Sequence, residues 1–154
     1  MEEPLKLDLG CGPWKKRGFY GIDIRPMWIN KQLKVDADLI HDLNTGIPFD
    51  DNSIEEIWAS QFMEHVSNIY FMLDECWRVL MPGKILEIIV PLYEVISVDH
   101  ITMFYPDWFD NNISLPAARY KGKFKIVEKD IYYKDIKIEQ RGLWNLRVKL
   151  QAIK

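Results

Sequence analysis

LDLGCGPWKKRGFYGIDI, residues 7–24, joins two apolar runs through a glycine turn and closes on an acid. Leu5–Leu9 is predicted as a first strand and Phe19–Ile24 as a second. Gly10 and Gly12 follow the first strand, where glycine lets the backbone approach a ligand that a Cβ would exclude. This order predicts a nucleotide-type pocket at the carboxyl ends of the strands.

The glycine turn departs from the dinucleotide fingerprint GxGxxG. Lys15 occupies the third glycine position, and the eight residues between Gly12 and Gly21 leave no comfortable room for a full crossover helix. Pyrophosphate normally lies at the amino end of that helix. A nucleoside without phosphates does not need the helix, and S-adenosylmethionine is such a molecule. Asp23, at the end of the second strand, is then expected to accept hydrogen bonds from the ribose hydroxyls.

A turn or short helix is predicted at residues 25–33 and the third strand at Ala37–His41. The residues just beyond that strand are candidates for the adenine. Asp42 and the backbone of Leu43 are placed to receive the adenine amino group. His41 lies inside this predicted strand, where a packing or hydrogen-bonding role is expected.

The rest of the chain alternates strand and helix patterns. Ile54–Ser60 is predicted as a fourth strand, and a helix is expected from the Ser67-Asn68 cap to about Met81, before Pro82 and Gly83. Ile85–Leu92 then resembles a strand buried on both faces. Residues 123–129 and 146–153 alternate apolar and polar side chains and are predicted to form an antiparallel pair at one edge. The fold class is therefore α/β, with a mostly parallel, Rossmann-like sheet.

Composition supports a single compact domain over residues 1–154. The chain is 48% hydrophobic and 28% charged, which is enough apolar material for one core. No signal-like or membrane-spanning apolar run is present, so a cytoplasmic protein is expected. Cys11 and Cys76 lack CxxC spacing, which indicates reduced thiols and predicts no metal site.

The net charge of −3 hides an asymmetry. Residues 1–118 hold 9 basic and 19 acidic side chains, whereas residues 119–154 hold 11 basic and 4 acidic ones. The basic end either steers an anionic partner or protects exposed edge strands against aggregation. Because its lysines alternate with core positions, edge protection is preferred, although nucleic acid is not excluded as a partner.

The segments together resemble the class I S-adenosylmethionine-dependent methyltransferases, in particular the methyltransferase type 11 group. The matching pieces are LDLGCG, GIDI, ADLIHDLNTGIPFDDNSIEEIWASQFMEHV and ECWRVLMPGKILEIIVP, which cover roughly residues 5–92. The resemblance implies methyl transfer from S-adenosylmethionine to an acceptor, with release of S-adenosylhomocysteine. A small molecule or a glycan is slightly favoured as the acceptor.

The resemblance also implies a cofactor site. Asp8, Gly10, Cys11 and Gly12 would line the methionine moiety, Asp23 and Ile24 the ribose, and Asp42 and Leu43 the adenine. Ser60 and Gln61 would face the sulfonium and the methyl group. The chain departs from the family in Lys84, which replaces a glycine, in its short first crossover and in the few residues before Leu5. These departures predict a substrate side that is open or completed by another chain, with a homo-oligomer among the possibilities.

Two histidines are candidate general bases for an acceptor that must lose a proton. His65, with Glu64, follows the fourth strand, where capping or support of neighbouring residues explains the pair equally well. His100 follows the fifth strand, where it either accepts a proton from an acceptor hydroxyl or anchors its loop.

Aromatic and basic residues near the predicted site have two interpretations each. The aromatic residues either stack on a flat acceptor or belong to the core; they are Trp14, Tyr105, Trp108 and Phe109. The triplet Lys15-Lys16-Arg17 either meets an acidic acceptor or forms a solvated loop. Two rival functions remain open at this point: a non-catalytic module of the same fold that binds the cofactor or a protein, and a nicotinamide oxidoreductase.

Overall fold

The structure, a computed structural model, describes residues 5–26, 34–92, 99–113, 121–136 and 141–154. Its strands and helices are, in chain order, β1 (Leu5–Leu9), β2 (Tyr20–Asp23), β3 (Leu39–Ile40), β4 (Ile54–Ser60), α1 (Ile69–Val79), β5 (Leu80–Pro91), α2 (Trp108–Ile113), β6 (Phe124–Ile136) and β7 (Arg141–Ala152). The strands form one sheet in the order β3-β2-β1-β4-β5-β7-β6.

The sheet is mostly parallel. The pairs β1–β2, β2–β3, β1–β4 and β4–β5 are parallel, whereas β7 runs antiparallel to both β5 and β6. This confirms the predicted Rossmann-like sheet with an antiparallel strand pair at its carboxyl-terminal edge. The strand order reverses direction at β1, and open α/β sheets bind ligands beyond the carboxyl ends of the strands at such a point.

Helix α1 forms because its apolar residues recur on one face and its amino end is capped. Asn68 accepts hydrogen bonds from the amides of Tyr70 and Phe71, both at 3.1 Å. The helix ends at Val79, two residues before the predicted limit, and β5 begins at once. Ile54 pairs with Leu80 and Glu56 with Ile85, so residues 81–84 form a bulge in β5 instead of a separate turn.

The core lies on the face of the sheet that α1 and α2 cover. The two helices share one apolar cluster with alternate residues of the central strands, which include Leu7, Leu9, Ile57, Leu86, Ile88, Val148 and Leu150. The residues between them point to the opposite face and are largely charged. In β5, residues 86–91 are buried throughout, as predicted for a strand buried on both faces.

Several boundaries differ from the prediction. Strand β3 covers only Leu39–Ile40, and the amides of Asp38 and His41 on either side of it donate to the carbonyls of Gly21 and Asp23 on β2, at 2.9 and 2.8 Å. The antiparallel strands are longer than predicted, since they pair with each other beyond the part that borders the core. The predicted turn or short helix at residues 25–33 lies mostly outside the described residues. Among the helices that the structure describes, none has the length and apolarity to cross a bilayer.

Candidate cofactor and acceptor site

The glycine turn wraps around the end of β2. The amides of Gly10 and Cys11 both donate to the carbonyl of Ile22, at 2.8 and 3.2 Å. Gly10 and Gly12 have φ values of 65° and 56°, which side chains rarely adopt. A Cβ on Gly10 would lie 2.4 Å from the ring of Phe62. The space beside Gly10, predicted as an opening for a ligand, is therefore filled by Phe62 in this structure.

Asp23 lies against the glycine turn at the end of β2 and is almost fully buried. Its Oδ2 accepts a hydrogen bond from the amide of Gly12 at 2.9 Å, and its Oδ1 accepts a longer one from the amide of Arg25 at 3.3 Å. These two bonds fix the orientation of the carboxylate. Each oxygen retains a lone pair for a further donor.

Asp8 is a second buried acid at this point, with 3% of its surface exposed. Its Oδ2 accepts from the amide of Lys16 at 2.7 Å. Burial raises the pKa of the Asp8 carboxyl to about 6, against the opposing effect of that bond and of nearby lysines, and the charge of Asp23 raises it further. A cation bound beside Asp8 would stabilise its ionised form.

Cys11, inside the turn, is not suited to nucleophilic chemistry. Burial, with the nearby charges of Asp8 and Asp23, raises the pKa of its thiol to about 12. The Sγ atom lies 3.7 Å from the carbonyl of Asp36. Its role in this structure is therefore packing, since a reactive cysteine needs its thiolate.

Residues 10–19 contain no helix, as the short first crossover predicted. Lys15, in the third glycine position, pairs with Asp38 at 2.8 Å and lies 3.8 Å from a carboxylate oxygen of Asp36. Asp38 also accepts from the amide of Gly21 at 2.7 Å, so the pair ties the turn to the residues before β3. Lys16 lies over the ring of Trp58, 3.7 Å from its centroid. Two members of the basic triplet are thus held by partners within the chain.

The predicted adenine end lies beyond β3. Asp42 caps the one-turn 3-10 helix Leu43–Thr45 by accepting a hydrogen bond from the amide of Asn44 at 3.0 Å. His41 makes the expected hydrogen-bonding contact, with Nε2 2.9 Å from the carbonyl of Gly46.

Two exposed apolar side chains mark the ends of the neighbouring strands. Ile24 directly follows β2 and is 52% exposed, and Ile40 ends β3 and is 47% exposed. They offer an apolar surface at the carboxyl edge, next to the buried acids.

The end of β4 has an unusual backbone. Gln61 has a φ of 55°, which is uncommon for a residue other than glycine and is characteristic of functional sites. Its amide donates to the carbonyl of Ile89 at 2.8 Å, and its side chain donates to Asn145 on β7 at 2.9 Å. These bonds hold the residues after Ser60 in a turn across the carboxyl ends of β4 and β5 and the adjacent amino-terminal part of β7.

The structure brings Glu64, His65 and His100 together. Glu64 and His65 lie in the 3-10 turn Met63–His65, and the ring centroids of His65 and His100 are 5.0 Å apart. Glu64 is 1% exposed, and neither oxygen of its carboxylate accepts a hydrogen bond from another described residue. Burial, together with the charge of Asp99, raises the pKa of this carboxyl to about 8.

Two of the four aromatic candidates, Trp108 and Phe109, belong to the core or its margin. Phe109 stacks on Phe104, and Trp108 packs edge-on against both rings. Tyr105 is partly exposed, and Trp14, at 70% exposure, is the aromatic candidate that projects most into solvent.

A family model described as methyltransferase domain matches residues 7–88. The chain belongs to this methyltransferase domain family. The matched segment includes the glycine turn, both buried acids, the Asp42 cap and the Glu64-His65 pair. Family and fold thus agree with the resemblance drawn from the sequence.

One curated relative is malonyl-[acyl-carrier protein] O-methyltransferase of Erwinia billingiae. It is 23% identical over an alignment of 127 residues, and the alignment covers 74% of this chain and 47% of the relative. The chain therefore spans about half the length of that relative.

Solved structures share the fold at low identity. YcgJ of Bacillus subtilis has a TM-score of 0.69 at 11% identity, over 99% of this chain and 93% of that one. A Haloferax volcanii chain from the complex between the Trm112 methyltransferase activator and a methyltransferase has a TM-score of 0.67 at 18% identity, over 100% and 85%. A Methanosarcina mazei S-adenosylmethionine-dependent methyltransferase has a TM-score of 0.62 at 14% identity, over 99% and 94%.

Sequence reasoning missed several residues that shape the site. Phe62 fills the space at Gly10, Asp38 holds Lys15, and Asn145 holds Gln61. The sequence leaves Glu64, with His65, equally open to catalysis and to a capping or supporting role, and it does not identify Glu64 as a buried carboxylate without a described hydrogen-bond donor. The polar Glu64 between the apolar Met63 and Val66 was a usable signal, because a buried charge needs a partner.

Proposed function

We propose that this chain is an S-adenosylmethionine-dependent methyltransferase that releases S-adenosylhomocysteine. The observation that carries the proposal is the pair of buried carboxylates, Asp8 and Asp23, on either side of a glycine turn at the point where the strand order reverses. Membership in the methyltransferase domain family supports the same conclusion.

The residues present fit this cofactor. Asp23 is oriented by the amide of Gly12 and keeps lone pairs for the two ribose hydroxyls. Asp8, whose ionised form is destabilised by burial, would be stabilised by the ammonium group of the methionine moiety. The backbone of Gly10, Cys11 and Gly12 would line that moiety. The ligand must share the space beside Gly10 with Phe62, so we expect the ring to turn when the cofactor binds.

The adenosine end would be held by polar groups beyond β3 and by the exposed apolar residues. Asp42 uses Oδ1 for its cap, which leaves Oδ2 for the adenine amino group, with the backbone of Leu43 beside it. Ile24 would pack against the ribose. The bound ribose would then cover this side chain, which is exposed in the free protein.

S-adenosylmethionine supplies a methyl group already activated by its sulfonium, so the main task of the protein is alignment. Ser60 and Gln61 would face the methyl group from the end of β4. His100 and His65 lie next to one another on the same edge and are proposed to accept the proton of an acceptor hydroxyl. An oxygen acceptor is also consistent with the curated relative, which its name describes as an O-methyltransferase.

A small molecule or a glycan is the proposed acceptor class. Lys15 and Lys16 near the turn and Arg147 and Lys149 on β7 are paired with acids of the chain itself, which weakens the attraction for a polyanion. Nucleic acid is therefore a less favoured acceptor.

Two measurements test the proposal. Isothermal titration of the protein with S-adenosylhomocysteine should show one binding site, with NADH as the negative control. Radiolabelled methyl donor should then be incubated with separate pools of sugars, nucleosides, RNA and proteins. We expect label in a small-molecule or glycan pool. Binding without transfer to any pool would instead support a non-catalytic module, and stabilisation by NADH alone would overturn the cofactor assignment.

A further inference from the structure

The cluster of Glu64, His65 and His100 is built by two segments that are distant in sequence. The amides of Ile101 and Thr102 donate to the carbonyl of Glu64 at 2.7 and 3.2 Å. These bonds hold the segment after β5 against the 3-10 turn after β4, which places His100 next to His65. The juxtaposition is therefore fixed by the main chain and not by the imidazoles alone.

Glu64 lacks the partner that a buried carboxylate requires. It is 1% exposed, and among the described residues no neighbour donates a hydrogen bond to either oxygen. An unpaired buried polar group costs free energy, and natural sites retain one only where it has a task. The nearest described cationic candidate is the His65 ring, with Nε2 3.8 Å from Oε1. That distance exceeds a hydrogen bond and leaves room between the two atoms.

The three side chains offer a set of metal ligands. One carboxylate oxygen of Glu64 and one ring nitrogen from each histidine all lie within 4.8 Å of one another. In a tetrahedral zinc site with bonds of about 2.0–2.1 Å, neighbouring ligand atoms are about 3.4 Å apart. Small side-chain rotations would close the remaining gap. Two histidines and one glutamate are also the ligand set of catalytic zinc sites that keep a fourth position open.

His65 is oriented mainly by the backbone carbonyl of Asp99, which lies outside the ligand set. Its Nδ1 lies 3.1 Å from the carbonyl of Asp99 and 3.5 Å from Oδ2 of the same residue. Nδ1 is therefore the nitrogen that carries hydrogen toward Asp99, and Nε2 presents its lone pair toward Glu64. Histidines that bind metals usually have such an outer partner, which fixes the tautomer and the ring orientation.

We propose that Glu64, His65 and His100 bind one Zn²⁺ ion, with the fourth coordination position open to an oxygen ligand. This inference goes beyond the proposed methyl transfer and does not depend on it. With the ion bound, the two imidazoles are ligands instead of bases, and the ion itself promotes loss of the proton from a coordinated hydroxyl. The absence of CxxC spacing, which predicted no metal site, is irrelevant to a site without sulfur ligands.

The test is zinc binding to the full chain after removal of metals with a chelator. Isothermal titration with ZnCl₂ should show one ion per chain, and Co²⁺ should give the absorption of a tetrahedral site without thiolate charge transfer. Loss of an outer partner typically lowers metal affinity about 10–100-fold. Removal of a ligand in His100→Ala or Glu64→Ala is therefore expected to lower the zinc affinity at least 100-fold, roughly the upper end of that range.

Matched variants separate a lost ligand from a lost fold. His41→Ala removes a histidine outside the cluster and should bind zinc as the parent does, and Cys11→Ser should do the same. Glu64→Gln keeps the size of the side chain, and its far-ultraviolet circular dichroism should match the parent. Zinc should raise the melting temperature of the parent but not of His100→Ala. Failure to bind one zinc ion, or equal affinity of a folded His100→Ala, would overturn the proposal whatever the outcome of the methyl-transfer assay.

Discussion

The substitution Asp8→Asn should lower the affinity for S-adenosylhomocysteine and raise the stability of the ligand-free protein. The Asp8 carboxyl has a pKa of about 6 in the free protein because it is buried. If the ionised form binds the ammonium of S-adenosylhomocysteine, about one tenth of the free protein is competent at pH 5 and nearly all at pH 8. The affinity should therefore fall about tenfold from pH 8 to pH 5, which is about 1.4 kcal/mol.

The same carboxyl affects the free energy of unfolding in the other direction. Its folded pKa of about 6 exceeds the ordinary value of 3.8, so the folded state binds the proton more tightly than the unfolded chain. This contribution favours folding below pH 3.8 and is lost as the pH rises to about 6. The difference corresponds to about 3 kcal/mol. Asp8→Asn should thus stabilise the ligand-free protein at pH 8 by up to about 3 kcal/mol, because asparagine still accepts the Lys16 amide.

Urea denaturation and isothermal titration, each at pH 8, 7 and 5, measure both effects. Asp8→Asn should gain stability at pH 8, keep only about half of that gain at pH 5, which lies between the two pKa values, and bind S-adenosylhomocysteine weakly with no pH dependence over this range. Asp130→Asn, on the exposed edge strand, is the matched control and should change neither quantity. Parental affinity that stays constant from pH 8 to pH 5, or an Asp8→Asn protein that is less stable at pH 8, would refute the assignment of Asp8 to the ammonium.

Four further substitutions test the site and its support. Asp23→Asn retains an acceptor for the Gly12 amide but turns a donor toward the Arg25 amide and the ribose. Calorimetry should show S-adenosylhomocysteine affinity at least about tenfold lower, since a hydrogen bond to a charged group contributes about 1.5–3 kcal/mol, and the melting temperature should fall slightly because the long bond from Arg25 is lost. Unchanged affinity would contradict the ribose role. Arg78→Lys removes the paired bonds to Glu75 and the bonds to two carbonyls of the loop before β4. Urea denaturation should therefore show a free energy of unfolding lower by about 1–3 kcal/mol. An unchanged free energy of unfolding would contradict the role of Arg78 as an anchor of this loop. Gly10→Ala should cost about 1–2 kcal/mol from its positive φ alone. Adding Phe62→Ala to the Gly10→Ala chain removes the ring that the new Cβ would strike. In urea denaturation the second substitution should therefore recover only the part of the lost stability that is due to this clash.

Local patterns predicted the elements whose causes are local. The Asn68 cap and the apolar spacing of α1 are written in consecutive residues, as is the alternation of β7. The Rossmann-like order also followed, since parallel strands joined by crossovers have few permitted arrangements. The sequence predicts glycine in the turn because a ligand must approach the backbone closely. In the structure the positive φ values of Gly10 and Gly12 and the Phe62 ring beside Gly10 are what favour glycine.

Contacts between distant segments could not be predicted from local sequence patterns. Phe62 reaches Gly10 because β4 lies next to β1, and Lys15 meets Asp38 because the residue before β3 returns to β2. Likewise, the approach of His100 to Glu64 depends on hydrogen bonds between two loops. Neighbours of this kind follow from strand order and loop path, whereas periodicity reports only which side of one element is buried.

On the face of the sheet opposite α1 and α2, several described charged residues pair with one another across neighbouring strands. On that face Lys6 pairs with Glu56 at 3.1 Å, and the buried Glu87 accepts from Arg147 on the adjacent β7. Such cross-strand pairs between opposite charges stabilise a sheet, and aromatic packing of Lys16 on Trp58 adds to them. Arg147 pairs with Glu87 on β5 and Lys149 pairs with Glu128 on β6, so these two basic residues of β7 are balanced by acids of the neighbouring strands. For them, stabilisation of the sheet edge is therefore favoured over attraction of an anionic partner.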